Sequence, residues 1–153
     1  MEAAGIVQRR LLPRPTRTVY ELTKTGVALE PAVVELGRWG AKLLGPPRRD
    51  EIITVDALVI ALRSTFQPKA AKGVTVSYQL HIGEIALNAS ILRGQLSAAP
   101  GTIPDPDLTI ETGPALRDLL AGELSAHEAL QEGFVKIRGN RAHLNLFVEL
   151  FKI

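Results

Sequence analysis

Few side chains in this sequence could do chemistry, and their spacing argues against catalysis. The three histidines, His81, His127 and His143, lie far apart. None has a second histidine at the spacing that would close two imidazoles on one metal ion. His127 and Glu128 are adjacent, which on a helix points their side chains apart and argues against an acid–base pair. Asp105-Pro-Asp107 brings two carboxylates together. A calcium loop needs more oxygen ligands at alternate positions, so a turn accounts for them better. The chain has no cysteine, which excludes disulfides, thiolate nucleophiles and cysteine-based zinc sites. Ser64, Ser77, Ser90, Ser97 and Ser125 lack the context of a nucleophile elbow, and neither glycine-rich phosphate loop pattern occurs. We expect no catalytic residues, no metal and no cofactor.

What remains is charge and apolar surface. Net charge is +2, with nine Lys/Arg against five Asp/Glu in residues 1–50 and nine against eleven in 51–153. A basic front suits an anionic partner. Arg9, Arg10, Arg14 and Arg17 crowd a short hairpin pattern, where guanidinium groups could hold phosphates and orient a protein on DNA without reading its sequence. A hairpin that merely keeps its charges solvated is the plainer alternative. At 46% apolar content the chain can build a packed core and is not a disordered one. No apolar run approaches the ~20 residues of a bilayer span, and with no leader pattern we expect a soluble, cytoplasmic protein.

The elements that position these groups follow from periodicity. Gly5 to Pro13 and Thr18 to Leu22 read as two strands joined by a proline-containing turn. Thr23 is a helix N-cap, with Leu22 and Val27 at the staple positions. The helix that follows carries Ala32, Leu36, Trp39 and Leu43 on one side, and Pro31 implies a kink or a fresh first turn. Gly45 to Asp50 reads as linker. Val55, Leu58, Val59, Leu62 and Phe66 form one helical face. Val74 to Ile82 alternates strictly, predicting a strand with one buried and one wet face. Gly83-Glu84 suits a type II′ hairpin, and its return strand carries Ile85, Leu87, Ala89 and Ile91. Arg93-Gly94 turns the chain again into a short strand. Leu108 to Ile110 is a strand, and Leu116, Leu119 and Leu120 mark a helix. Ser125 with Glu128 forms a capping box flanked by Leu124 and Ala129. Phe134 to Arg138 is a strand, Asn140 an N-cap, and Leu144, Phe147, Val148 and Phe151 the face of a last helix.

In the back part, Asp107-Leu-Thr-Ile-Glu-Thr, Leu119-Leu-Ala-Gly-Glu-Leu-Ser, His127-Glu-Ala-Leu-Gln-Glu-Gly and Val135-Lys-Ile-Arg-Gly-Asn stand in an order that resembles the sterol carrier protein 2 domain. The resemblance runs over most of Val74 to Phe151. It implies an α+β fold, a twisted antiparallel-rich sheet covered by helices around an apolar cavity, and no catalytic residues. In front, Glu2-Ala-Ala-Gly-Ile-Val-Gln-Arg-Arg, Tyr20-Glu-Leu-Thr-Lys-Thr-Gly and Leu36-Gly-Arg-Trp-Gly resemble the wing and following helix of HxlR-type winged helix-turn-helix regulators. In that family a recognition helix precedes the hairpin. Here Met1 stands only a few residues before it, so we expect a partial DNA-binding domain without the base-reading helix.

Together these readings give a partial winged helix over 1–45, a linker over 46–50 and a sterol carrier protein 2-like domain over 51–153. The front would bind DNA in a full-length parent through Arg9, Arg10, Arg14 and Arg17, and weakly or not at all in this chain. Leu36, Trp39 and Leu43 would pair two copies as a homodimer. Tyr78, Leu80, Ile82, Leu87, Ile110, Leu116, Leu119, Leu120, Phe134, Phe147, Val148 and Phe151 converge between sheet and helices. Periodicity alone leaves a filled core and a lined cavity equally open; the resemblance implies the cavity, with a lipid, fatty acid or sterol-like ligand. The functional expectation is a ligand-responsive transcription regulator, and the alternative is a lipid carrier with no DNA role.

Overall fold

The computed structural model describes residues 1–13, 16–41, 43 and 53–153. The expected linker at 46–50, and Arg14, lie outside these residues. The chain forms two units, Met1–Leu36 and Gly37–Ile153.

In the first unit, β1 (Val7–Pro13) and β2 (Thr16–Leu22) pair antiparallel from Val7 opposite Leu22 to Pro13 opposite Thr16. Thr23 caps α1 (Lys24–Ala28), its Oγ1 accepting from the Gly26 amide at 3.1 Å and donating to the Gly5 carbonyl. Gly26 is buried where any Cβ would strike the Ile6 carbonyl oxygen. The helix stops at Ala28, and α2 (Glu30–Ala41), which belongs to this unit as far as Leu36, starts afresh with Pro31 in its first turn, where a missing N–H costs no intrahelical bond.

The second unit holds α3 (Val55–Thr65), β3 (Val76–Ile82), β4 (Ile85–Leu92), β5 (Gln95–Pro100), β6 (Leu108–Thr112), α4 (Ala115–Ala121), α5 (Ala126–Gln131), β7 (Val135–Gly139) and α6 (Arg141–Leu150). Its sheet runs β5-β4-β3-β6-β7. All neighbours are antiparallel except β3 and β6, which are parallel with Leu80 opposite Ile110. Both tight hairpins have the backbone their residues demand. Gly83 has φ +59 while Glu84 is not left-handed, as in a type II′ turn, and Arg93-Gly94 has φ of +51 and +84, as in type I′. Alternation decides which face is buried: Val76, Tyr78 and Leu80 meet Ile91, Ala89 and Leu87, and all six are buried. Against this face pack Val59, Leu62 and Phe66 at α3, Leu116, Leu119 and Leu120 of α4, and Leu144, Phe147 and Leu150 of α6.

The opposite face is not uniformly wet, as strict alternation in β3 implied. Gln79 points that way yet is 3% exposed. Its Nε2 donates to the carbonyls of Leu87 (3.0 Å) and Gly101 (3.4 Å), and its Oε1 accepts from the Ile103 amide at 3.0 Å. The loop after β5 is thereby pinned over the sheet. Nearby, the Ser77 amide and hydroxyl both donate to Asp107 Oδ2 at 2.7 Å, fixing the entry to β6. These bonds hold the Asp107 carboxyl below the usual carboxylate range. The second carboxylate of Asp105-Pro-Asp107 is thus structural.

Candidate functional site

The residues expected to line a cavity mostly form the interior. Tyr78, Leu80, Leu87, Ile110, Leu116, Leu119, Leu120, Phe147 and Phe151 are all buried, and Ile82 and Val148 pack partly buried against them. Tyr78, Phe147 and Phe151 meet ring to ring, with centroids 5.1 Å, 4.7 Å and 6.5 Å apart and tilted or edge-on approaches, the arrangement aromatic quadrupoles favour. These side chains have one another as neighbours. The expected lining residues, Phe134 apart, thus belong to one interior cluster.

Tyr78 carries the one phenol in this cluster, and its hydroxyl donates to the His143 carbonyl at 3.2 Å. Burial, and secondarily the Asp107 carboxylate, push its pKa well above the ordinary value of 10.0. The folded chain therefore keeps a proton that the unfolded chain loses near pH 10. Stability from this group is complete below that pH and falls above it, by about 1.4 kcal/mol per pH unit. Tyr78→Phe is expected to cost about 1 kcal/mol near neutrality through the lost hydrogen bond and to flatten the alkaline limb. Urea unfolding at neutral pH and above pH ~10 checks both; an equally steep alkaline limb in the variant would contradict the assignment.

Phe134 departs from its expected place. The strand begins at Val135, whose partner is Thr112, so Val135 takes the inward position. Phe134, one residue earlier, points out and is 54% exposed. It borders an open cleft of about 670 Å³ lined by Gly113, Pro114, Ala115, Asp118, Glu123, Leu124 and Phe134. Local sequence builds this rim. Gly122 ends α4 with a left-handed φ of +73, which turns Glu123 and Leu124 back along it. The Ser125–Glu128 capping box then closes, with Glu128 N to Ser125 Oγ at 3.2 Å and Ser125 N to Glu128 Oε2 at 3.0 Å. Gly133, with φ +74, delivers Phe134. Arg117 Nη1 bonds Asp118 Oδ1 at 3.0 Å and Glu123 Oε2 at 3.1 Å. Sequence reading missed the cleft apart from Phe134. The available signal was two adjacent apolar residues, Phe134 and Val135, in an alternating strand, since one of them must face outward.

A second, polar depression of about 420 Å³ lies on the sheet's opposite face among His81, Gly83, Glu111, Thr112 and Arg138. There Arg138 pairs with Glu111 at 3.3 Å. Among the described residues no group of three or more His, Cys, Asp or Glu side chains could hold a metal ion.

On the hairpin, register separates the arginines. Arg10 lies opposite Val19 and Arg17 opposite Leu12, so Arg10 and Arg17 share one face with Glu21, which Arg10 pairs at 2.8 Å. Arg9 stands opposite Tyr20 on the other face. All three are exposed. Leu36, Trp39 and Leu43 are 65%, 64% and 67% exposed.

The HxlR-like helix-turn-helix family model matches residues 1–47. The solution structure of the sterol carrier protein domain 2 of Helicoverpa armigera aligns with a TM-score of 0.51 at 16% identity, over 70% of this chain and 94% of that one. This chain joins an HxlR-like segment to a sterol carrier protein 2 fold. The stereoselective inverting sec-alkylsulfatase Pisa1 from Pseudomonas sp. shares the fold at a TM-score of 0.60 and 22% identity, over 66% of this chain. Its double mutant S233Y F250G aligns at 0.58 with the same identity and coverage. The chain spans 17% of the length of those alkylsulfatase chains. Comparison with curated proteins returned no match. Among the described residues, no helix of the HxlR-like segment or of the sterol carrier protein 2 fold is long and apolar enough to cross a membrane.

Proposed function

We propose that this chain is a ligand-responsive transcription regulator: an HxlR-like wing segment (1–45) that touches DNA phosphates, a linker (46–50), and a sterol carrier protein 2-like domain (51–153) that binds an apolar or amphiphilic molecule. The observation that carries the reading is the conjunction of the two in one chain, a helix-turn-helix family match in front and the fold of a lipid-carrier domain behind. The ligand site is the cleft at Phe134, an open space with apolar walls from Pro114, Ala115, Leu124 and Phe134. Exposed Arg9, Arg10 and Arg17 supply phosphate contacts. Leu36, Trp39 and Leu43 offer apolar surface to a second copy. The protein acts in the cytoplasm, by binding rather than catalysis.

Nile red, a neutral apolar dye, tests the site. Its emission is expected to shift to the blue with the protein, and Phe134→Ala is expected to weaken binding about fivefold, the loss of roughly 1 kcal/mol of ring contact. Unchanged affinity in that variant overturns the assignment of the cleft. Anisotropy of a labelled duplex tests the DNA role. Weak binding that falls with salt is expected, and it should fall less steeply once Arg10 and Arg17 are replaced by alanine. Saturating dye must change that affinity, since a ligand biases an equilibrium only by preferring one state; an unchanged affinity leaves a carrier without regulation.

A further inference from the structure

The cleft has a sign. Its apolar surface comes from Pro114, Ala115, Leu124 and the exposed ring of Phe134, and its charged lining is Asp118 and Glu123. Arg117 contacts both carboxylates through Nη1, so two negative charges meet one positive. Among the described residues lining the cleft there is no Lys, Arg or His. The Asp118 and Glu123 side chains remain 46% and 59% exposed, within reach of a molecule arriving from solvent.

We infer that the cleft takes a cationic amphiphile, an alkyl or aryl tail carrying an ammonium head. This rests on the reading that the cleft binds an apolar ligand and adds the chemistry of the head group. The tail lies along Pro114, Leu124 and Phe134, burying apolar surface on both sides. The head sits at Asp118 and Glu123, where opposite charge attracts it. A carboxylate on the same tail would stand beside two carboxylates, the like-charge juxtaposition by which sites reject the wrong ligand.

Calorimetric titration of the full chain with decyltrimethylammonium, decanol and decanoate, each below its micelle-forming concentration, holds the tail fixed and varies only the head. The expected order is ammonium, then alcohol, then carboxylate, with about tenfold between first and last at low salt. Added salt is expected to narrow that gap, because exposed charges are screened. In the Glu123→Gln variant, which leaves Asp118 balanced by Arg117, the gap is expected to close. Circular dichroism reports whether this variant folds; if it does not, the salt series on the unmodified chain decides. Decanoate binding as tightly as the ammonium, or a gap indifferent to salt, overturns the charge assignment and leaves the apolar cleft standing. Failure of all three compounds to bind overturns both.

Discussion

Phe147→Ala is expected to destabilise the sterol carrier protein 2-like unit by about 3–5 kcal/mol, the cost of removing a buried aromatic ring and leaving the space unfilled. Domains of this size are stable by roughly 5–15 kcal/mol, so the variant keeps only a fraction of its folded population under mild denaturant. Phe147 is 0% exposed and touches two rings, Tyr78 at 5.1 Å and Phe151 at 4.7 Å. The measurement is urea unfolding followed by circular dichroism. It also separates a filled interior from a hollow one. A ring bordering an existing void has fewer neighbours to lose, so a loss below about 1.5 kcal/mol would mean the centre is not packed as described. Nile red binding, referred to the folded fraction, is expected to survive, since Phe147 is not part of the cleft.

Gly139→Ala is expected to cost about 2–4 kcal/mol, from two causes that act together. Gly139 closes β7 with φ +123, a conformation essentially reserved for glycine, and a Cβ there would lie 2.5 Å from the Asp107 carbonyl oxygen. It also faces Leu108 in the β6–β7 register, so relief requires moving the strand entry that Ser77 and Asp107 hold. Gly133→Ala is the control. Its φ is +74 but an added Cβ meets nothing within 4 Å, so only the left-handed penalty of about 1–2 kcal/mol applies. Equal losses in the two variants, by thermal or urea unfolding, would show that the contact with Asp107 does not matter.

Local chemistry was legible in the sequence. The Ser125–Glu128 capping box, the two-residue hairpins at Gly83-Glu84 and Arg93-Gly94, and the inward faces of β3, β4 and α6 all rest on residues a few positions apart. What depends on distant partners was not. Nothing local says that β6 lies parallel to β3 rather than beside its chain neighbour β5, because that choice is made by the sheet as a whole. Periodicity tells which face of Tyr78 and Phe147 turns inward, but not whether the two faces meet or stand apart. The arginines show a third limit. Arg9 and Arg10 are separated by strand parity alone, whereas the placing of Arg17 with Arg10 depends on the hairpin register. Phe134 was within reach: Val135 and Ile137 claim the inward parity, and its neighbour must therefore look out.

The end of α6 ties back to much earlier residues. The Leu150 carbonyl accepts from the Gln67 amide at 2.8 Å, Lys152 N reaches Thr65 O at 2.9 Å, and Ile153 N reaches Leu120 O at 3.0 Å. A ribosome making this chain therefore releases α3 long before its seat exists. Until β4 and β5 follow, Val59 and Leu62 travel as bare greasy surface that a chaperone can grip, and Phe66 waits longer still, for Phe151.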